Sequence, residues 1–434
     1  MPIPEFLPYR RKKSRFGVFM VAFVILVIAG LLLYQIPYIH RRASWRLDIA
    51  YTYVRMLLNP AHKLPTPEQL PTPAVEVQSA GGPPTASPEP SPTPLPSPTP
   101  MRTATPTLVP TPIPGVVQLP PPAYDEARDK QDVNNCGPAT LALYLRFFGW
   151  SGNQHDIAKI IKPETDDRNV NVDEITYYVR NYSGWLNAEF RVGGTPERLK
   201  EILAAGIPVM IEESFTVDRK YWPEDDLWAG HYLLITGYDD ANQVFTAHDS
   251  ELGPNQKILY DDLNAKWQSF NRVYIMVYPP DMEPVIQSIL GDDWDNDLNR
   301  QHALEAAEQE TQDDPQNAFA WFNLGTNLTY FERYSEAASA YDTARTLGLP
   351  QRMLRYQFGP FIAYFHSMRT DDLLTLTKYA LEISRTSEEA MLWRGWAFYR
   401  QGDKGTALKY FRDALRIHPD YEEARLAIET VQNN

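Results

Sequence analysis

The sequence predicts an α+β domain, in which a helix packs on an antiparallel sheet, followed by an all-α helical-repeat domain. A single apolar helix of membrane-spanning length is predicted ahead of both. Three observations carry this. A helix opening at Cys136 is followed by several strand-like runs with a hairpin turn among them. Small and aromatic residues recur at a regular spacing beyond residue 290. An uncharged stretch runs from Phe16 to Ile36. With 434 residues, 43 % of them hydrophobic, the chain has room for two or three cored domains.

The apolar stretch, placed at 16–38, reads FGVFMVAFVILVIAGLLLYQI over its first part. About 20 residues at 1.5 Å rise span a hydrocarbon core of roughly 30 Å. A basic segment, residues 1–15, precedes it, and Tyr34 and Tyr38 stand where an interfacial belt belongs. No small-x-small cleavage site follows, so the expectation is an uncleaved single-pass anchor and not a signal peptide. A helix-like juxtamembrane segment is expected at 39–59. Residues 1–63 hold a net charge of +8 and the remainder of the chain -22. A folded part so acidic repels phosphate, which argues against a nucleic-acid partner.

Residues 60–122 contain 21 prolines in 63 positions. Such a segment lacks apolar residues for a core and backbone donors for helix or sheet, so an extended polyproline-II-like stalk is expected. At ~3.1 Å per residue it reaches on the order of 100 Å. A Pro/Ser/Thr stalk beside an anchor suits a cell surface. The expected placement is therefore a cytoplasmic N-terminus with the later domains extracytoplasmic.

Residues 123–280 mix helix and strand signals. A helix is predicted over 136–148, stopped by Gly149, and another over 195–205, with Thr195 as N-cap, Pro196 in the first turn and Gly206 as the stop. Strands are predicted at 207–211, 231–238, 243–248 and 272–278, with Asp239-Asp240-Ala241-Asn242 as a hairpin-like turn.

From residue 290 to 434 a period emerges. Trp321, Leu324, Gly325, Leu328, Ala337, Tyr341 and Ala344 form a small/large pattern that Met391, Gly395, Phe398, Ala407, Phe411, Ala414 and Pro419 repeat. Tyr364 and Ala380 fall where a degenerate copy belongs, and Ala303 with Pro315 marks the second half of an incomplete one. This part resembles the tetratricopeptide (TPR) family. The resemblance implies paired antiparallel helices and a protein or peptide partner.

The chemistry centres on the solitary cysteine, Cys136. At a helix start, unpaired N–H groups and the helix dipole favour a thiolate. Asn134 and Asn135 are expected to cap this helix, and Gly137 to leave space beside the sulfur for a substrate backbone. Downstream, His231 opens an apolar strand after Gly230, and Asp249 ends the following strand. A turn at 239–242 would bring Asp249 near the level of His231, which assembles nucleophile, base and orienting carboxylate.

Gln131-x(4)-Cys136-Gly137-Pro138-Ala139, then Gly-His231-Tyr-Leu-Leu-Ile-Thr-Gly-Tyr-Asp-Asp240, then a strand ending in Asp249, resembles the papain-like cysteine peptidases related to bacteriocin-leader-processing peptidases, the C39-like group. The resemblance implies Cys136 as nucleophile, His231 as general base and Asp249 as its orienting group. Gln131 would donate to the oxyanion beside the Cys136 backbone N–H. In two respects the chain departs from the group: no ATP-binding cassette follows, and the usual Asp-Pro is Asp249-Ser250.

The expected function is hydrolysis of a peptide or amide bond, with acyl transfer as the nearest alternative. A non-catalytic, membrane-tethered peptide-binding scaffold is the alternative from another class. No cofactor or metal is expected, because His155, His248 and His302 lack ligand spacing. Strand alternation should turn His248 away from Asp249. Trp222, Trp228, Tyr232 and Tyr238 serve either a substrate groove or packing.

Overall fold

The structure is a computed structural model that describes residues 15–58, 60, 63–67, 113–162 and 169–433. The chain divides into two compact units, residues 1–61 with 218–227, and residues 62–217 with 228–434. In the first unit the apolar stretch forms helix α1 (Arg15–Tyr34), followed by α2 (Pro37–Leu58). The large apolar side chains of α1 from Phe19 to Leu33 stand exposed. Among the described residues no helix is long and apolar enough to cross a membrane. The expected transmembrane helix is therefore not supported by the structure. The greater part of the expected stalk, residues 68–112, lies outside the described residues too.

The second unit opens with β1 (Val116–Gln118), α3 (Glu126–Asp129), α4 (Cys136–Phe147), α5 (Gln154–Ile161) and α6 (Val172–Tyr182). Next come β2 (Asn187–Arg191), α7 (Pro196–Ala204), β3 (Val209–Thr216), β4 (Trp228–Asp239), β5 (Val244–Asp249), β6 (Gly253–Leu259), α8 (Tyr260–Gln268), β7 (Tyr274–Tyr278) and α9 (Glu283–Leu290). The strands make one antiparallel sheet in the order β2-β7-β3-β4-β5-β6, with β1 paired to the far end of β4. The sheet therefore starts ahead of residue 123, inside the stretch the composition assigns to the stalk. Proline density hides the three-residue strand Val116–Gln118, whose partners lie over 100 residues away.

Local signals place their elements well. Thr195 Oγ1 accepts from Arg198 N at 3.1 Å, with Pro196 opening α7. Gly149 takes a φ of 87°, a left-handed stop that a β-carbon resists. The turn after β4 closes with Asn242 N donating to Asp239 Oδ1 at 3.2 Å. Strand alternation then splits the core in two. Leu141, Leu143, Met210, Leu234 and Ile275 form one cluster under α4–α6, while Leu199, Leu233, Ile235, Trp267 and Met276 form the other under α7–α9. Helices thus cover both faces of the sheet.

The helical-repeat region runs through α10 (Asn296–Asp313), α11 (Ala318–Tyr330), α12 (Tyr334–Leu347), α13 (Met353–Tyr356), α14 (Gly359–His366), α15 (Thr370–Ile383), α16 (Glu388–Arg400), α17 (Lys404–Ile417) and α18 (Glu422–Asn433). The pairs α11/α12, α14/α15 and α16/α17 follow the spacing read from the sequence, with α10 as the half-repeat before them. The degenerate middle pair is held by buried charge. Arg369 bonds Asp342 and Asp372, and Tyr364 donates to Asp342 Oδ1 at 2.7 Å. Two arginines, Arg345 and Arg369, balance two aspartates there.

The small residues of the repeats are packing devices. A β-carbon on Gly395 would stand 2.4 Å from Phe411 Cε1, so α16 and α17 could not approach as they do. Gly395→Ala should destabilise the chain by about 1–3 kcal/mol through overpacking, measured as a lower urea midpoint. An unchanged midpoint would mean that the pair relaxes freely.

Candidate active site

The segment that carries Gln131 and Cys136 is stapled from below by α5. Gln154, 3 % exposed, accepts from Asp132 N at 2.9 Å and from Asn135 Nδ2 at 2.7 Å, and donates to Lys130 O at 2.8 Å. Asn134 turns the chain with a φ of 57°. Asn135 is the N-cap residue of α4, yet its side chain makes no capping bond, because Gln154 holds it. The expected capping by Asn134 and Asn135 is therefore corrected. Without that bond, no capping side chain competes for the first N–H groups of α4 beside the sulfur.

Gly137 is corrected as well. It is buried, and a β-carbon there would meet Val170 Cβ at 3.3 Å and Tyr232 Cε2 at 3.4 Å. Its missing side chain admits neighbouring protein and not a substrate backbone. Cys136 itself is partly exposed.

His231 and Asp249 sit on adjacent strands. Asp249 pairs with Leu233, which places it on the same sheet face as His231, two residues along. His231 Nε2 lies 2.9 Å from Asp249 Oδ1, and both residues are 2–3 % exposed. Asp249 Oδ1 also accepts from Glu251 N at 2.7 Å and Leu252 N at 3.1 Å. A carboxylate fixed at Nε2 leaves Nδ1 as the ring's other polar atom, and the imidazole and the Cys136 sulfur lie near enough for each to shift the other's titration.

The electrostatics follow from this geometry. Burial pushes the Cys136 thiol up, but the hydrogen bond and charge of His231, with the backbone N–H of Tyr232, bring it net below its ordinary value. Burial depresses His231, yet the hydrogen bonds to Asp249 and Cys136 outweigh it and raise the ring to about 10. Burial raises Asp249, and His231 with two backbone N–H groups takes it net lower. The arrangement favours a thiolate–imidazolium pair backed by a carboxylate.

Gln131 joins the site through Ser250. Gln131 N donates to Ser250 O at 2.8 Å, and Ser250 Oγ donates to Gln131 Oε1 at 2.8 Å. The amide oxygen is thereby occupied, which fixes the orientation of the amide. Thr140 of α4 ties the parts together, donating to Tyr232 O at 3.0 Å with its Oγ1 3.3 Å from Ser250 Oγ.

Residues 111–277 match the peptidase C39 like family, and residues 388–421 match the tetratricopeptide repeat. Residues 111–277 form a C39-like domain. Among solved structures the chain is similar to xylellain, a cysteine protease from Xylella fastidiosa, at 14 % identity and a TM-score of 0.31, covering 39 % of this chain and 87 % of that one. It is also similar to a double glycine motif protease from an AMS/PCAT transporter in complex with the leader peptide, at 16 % identity and a TM-score of 0.27, covering 38 % and 94 %. A third likeness is to YrrB, a TPR protein with an unusual peptide-binding site, at 17 % identity and a TM-score of 0.19, covering 30 % and 84 %. No curated protein is matched by the sequence.

In the C39-like domain His231 bonds Asp249, Ser250 bonds Gln131, and Thr140 of α4, the helix that Cys136 opens, reaches both Tyr232 and Ser250. His248 pairs with Leu234 on the other sheet face, as alternation predicts, and its two ring nitrogens have no partner among the described residues. His155 lies 3.7 Å from Asp132 and His302 2.8 Å from Asp293. Tyr232 and Tyr238 are packing residues, their hydroxyls donating to Val170 O and Pro114 O. Among the described residues no group of three or more His, Cys, Asp or Glu is placed to hold a metal ion.

The sequence reading missed two side chains. Ser250 orients Gln131, and only the contact across 119 positions reveals it. Glu213 lies directly across from His231 in the β3–β4 register, with Oε2 buried and unpaired among the described residues. Burial pushes its carboxyl up to about 7. Two adjacent glutamates after the apolar run from Val209 to Ile211 were the available signal.

The helical array also touches this region. Arg352 Nη1 donates to Trp228 O at 2.9 Å, three residues before His231. Trp228 stacks on Phe270 at 5.7 Å, and Tyr356 of α13 meets both rings edge-on. Ser250→Ala should leave the depressed titration of Cys136 in place but release Gln131. Alkylation of Cys136 by iodoacetamide should keep its pH profile, while Asp249→Asn should move the onset of alkylation toward pH 8.5, the ordinary thiol value. An Asp249→Asn profile identical to the parent would remove the carboxylate from this electrostatic account.

Proposed function

We propose that this chain is a membrane-anchored, extracytoplasmic cysteine peptidase-like hydrolase that cleaves a peptide or amide bond through Cys136, His231 and Asp249. The observation that carries the reading is the buried 2.9 Å bond between His231 Nε2 and Asp249, with the charge of Cys136 acting on the same imidazole. In this reading the Cys136 thiolate attacks the carbonyl carbon and a tetrahedral intermediate forms. Gln131 Nε2 and the Cys136 backbone N–H stabilise the oxyanion. The imidazolium of His231 gives its proton to the leaving amine, which leaves an acyl-enzyme. Neutral His231 then takes a proton from water as that water attacks the thioester, and Cys136 is regenerated.

The anchor reading rests on the sequence alone, on the uncharged run from Phe16 to Ile36. The basic residues before that run and the proline-rich stretch after it support a cytoplasmic N-terminus with the C39-like domain and the helical array outside. The array is read as a protein- or peptide-binding part.

Cys136→Ala should abolish cleavage in a peptide-library screen, and Gln131→Ala should lower kcat by about 10²–10³. Hydrolysis should rise as pH climbs through the depressed Cys136 value, and fall as it passes about 10, where His231 loses its proton. Alkylation should rise at the same point but show no fall at high pH, because it needs only the thiolate. A chain whose thiol alkylates like free cysteine and cleaves no peptide would be a binding scaffold instead.

A further inference from the structure

Residues 63–67 sit in the same compact unit as the C39-like domain and the array. Leu64 is 4 % exposed and Pro67 is buried, while Lys63 and Thr66 are exposed and Pro65 lies between. Burial at positions three apart is the pattern of a polyproline-II strand, which turns once every three residues. The segment is held at its middle, where Arg345 Nε of α12 donates to Pro65 O at 2.9 Å.

Arg345 is built for this contact. It is 2 % exposed, and its Nη1 is fixed by Tyr364 at 2.8 Å and Asp372 at 3.2 Å. Its Nη2 is buried with no hydrogen-bond partner among the described residues, so Nε is the donor of the fork that meets the segment. An extended proline-containing peptide fits such a donor. Its carbonyls make no internal hydrogen bonds, and its backbone loses little entropy on binding. The sequence Leu64-Pro65-Thr66-Pro67 recurs unchanged as Leu70-Pro71-Thr72-Pro73.

We propose that the helical array carries a binding site for an extended Leu-Pro-Thr-Pro peptide, with Arg345 as its carbonyl anchor, and that the chain's own Leu64, Pro65, Thr66 and Pro67 occupy it in cis. The recurrence at Leu70 supplies a second ligand of the same chemistry within the same chain. Peptides of this class from another protein compete for the site. The inference is independent of the chemistry at Cys136.

The test uses the full chain in detergent with a fluorescein-labelled peptide spanning Lys63 to Gln69. In the parent chain the tethered segment competes at an effective concentration in the millimolar range, so the labelled peptide binds weakly. A Leu64→Glu, Leu70→Glu chain has a vacated site and should bind the peptide at least about tenfold more tightly. A peptide with its leucine replaced by glutamate, or of scrambled order, should not bind. A second measurement needs no variant: trypsin should cut after Lys63 at least tenfold more slowly than after Arg102 in the parent chain, since only the former bond adjoins the held segment. Equal cutting at the two positions would overturn the proposal. So would a vacated chain that binds the peptide no better than the parent, or binds the scrambled peptide equally.

Discussion

The site depends on one buried hydrogen bond, that between His231 Nε2 and Asp249 Oδ1. Removing an imidazole from water disfavours its charged form, so burial alone would leave His231 neutral and the Cys136 thiol protonated. The carboxylate reverses that preference, and its own charge is held by the Glu251 and Leu252 amides. The bond also fixes which ring nitrogen meets the carboxylate. Everything else at the site keeps these three groups in register.

That register is supplied by contacts across the fold. Gln154 on α5 pins the 130–135 segment with one side chain that accepts twice and donates at its other end. Ser250, directly after Asp249, turns the amide of Gln131, so a single strand end positions both the orienting carboxylate and the proposed oxyanion donor. A proline in that place would lack the hydroxyl. The Asp249-Ser250 departure from the family pattern therefore has a structural role in this chain.

The helical array is bound to the C39-like domain by specific polar contacts. Asn323 Nδ2 donates to Gln268 O at 2.8 Å, Asn271 Nδ2 to Asn327 Oδ1 at 2.9 Å, and Gln357 Nε2 to Ser269 O at 2.7 Å. All three reach the end of α8 or the turn after it, where Asn271 and Arg272 adopt left-handed φ values of 51° and 46°. Part of the surface that α11 could offer a partner is thus taken up within the chain. Because Arg352, the residue before α13, also holds the carbonyl of Trp228 at the start of β4, the array supports the strand that carries His231.

Local patterns in the sequence determined much of this. The helix at Cys136, the Thr195 cap, the strand holding His231 and the helix pairs around Gly325 and Gly395 were legible, because capping and periodicity act over a few residues. The level of Asp249 with His231 was legible too, since one tight turn joins their strands. The tertiary structure alone decided which partners Asn135, Gly137, Gln131 and Glu213 meet. It also decided that helices cover both sheet faces, and that Leu64 and Pro67 turn inward. These outcomes depend on cross-strand register and on side chains that meet over tens to hundreds of positions, and no short-range pattern encodes such meetings.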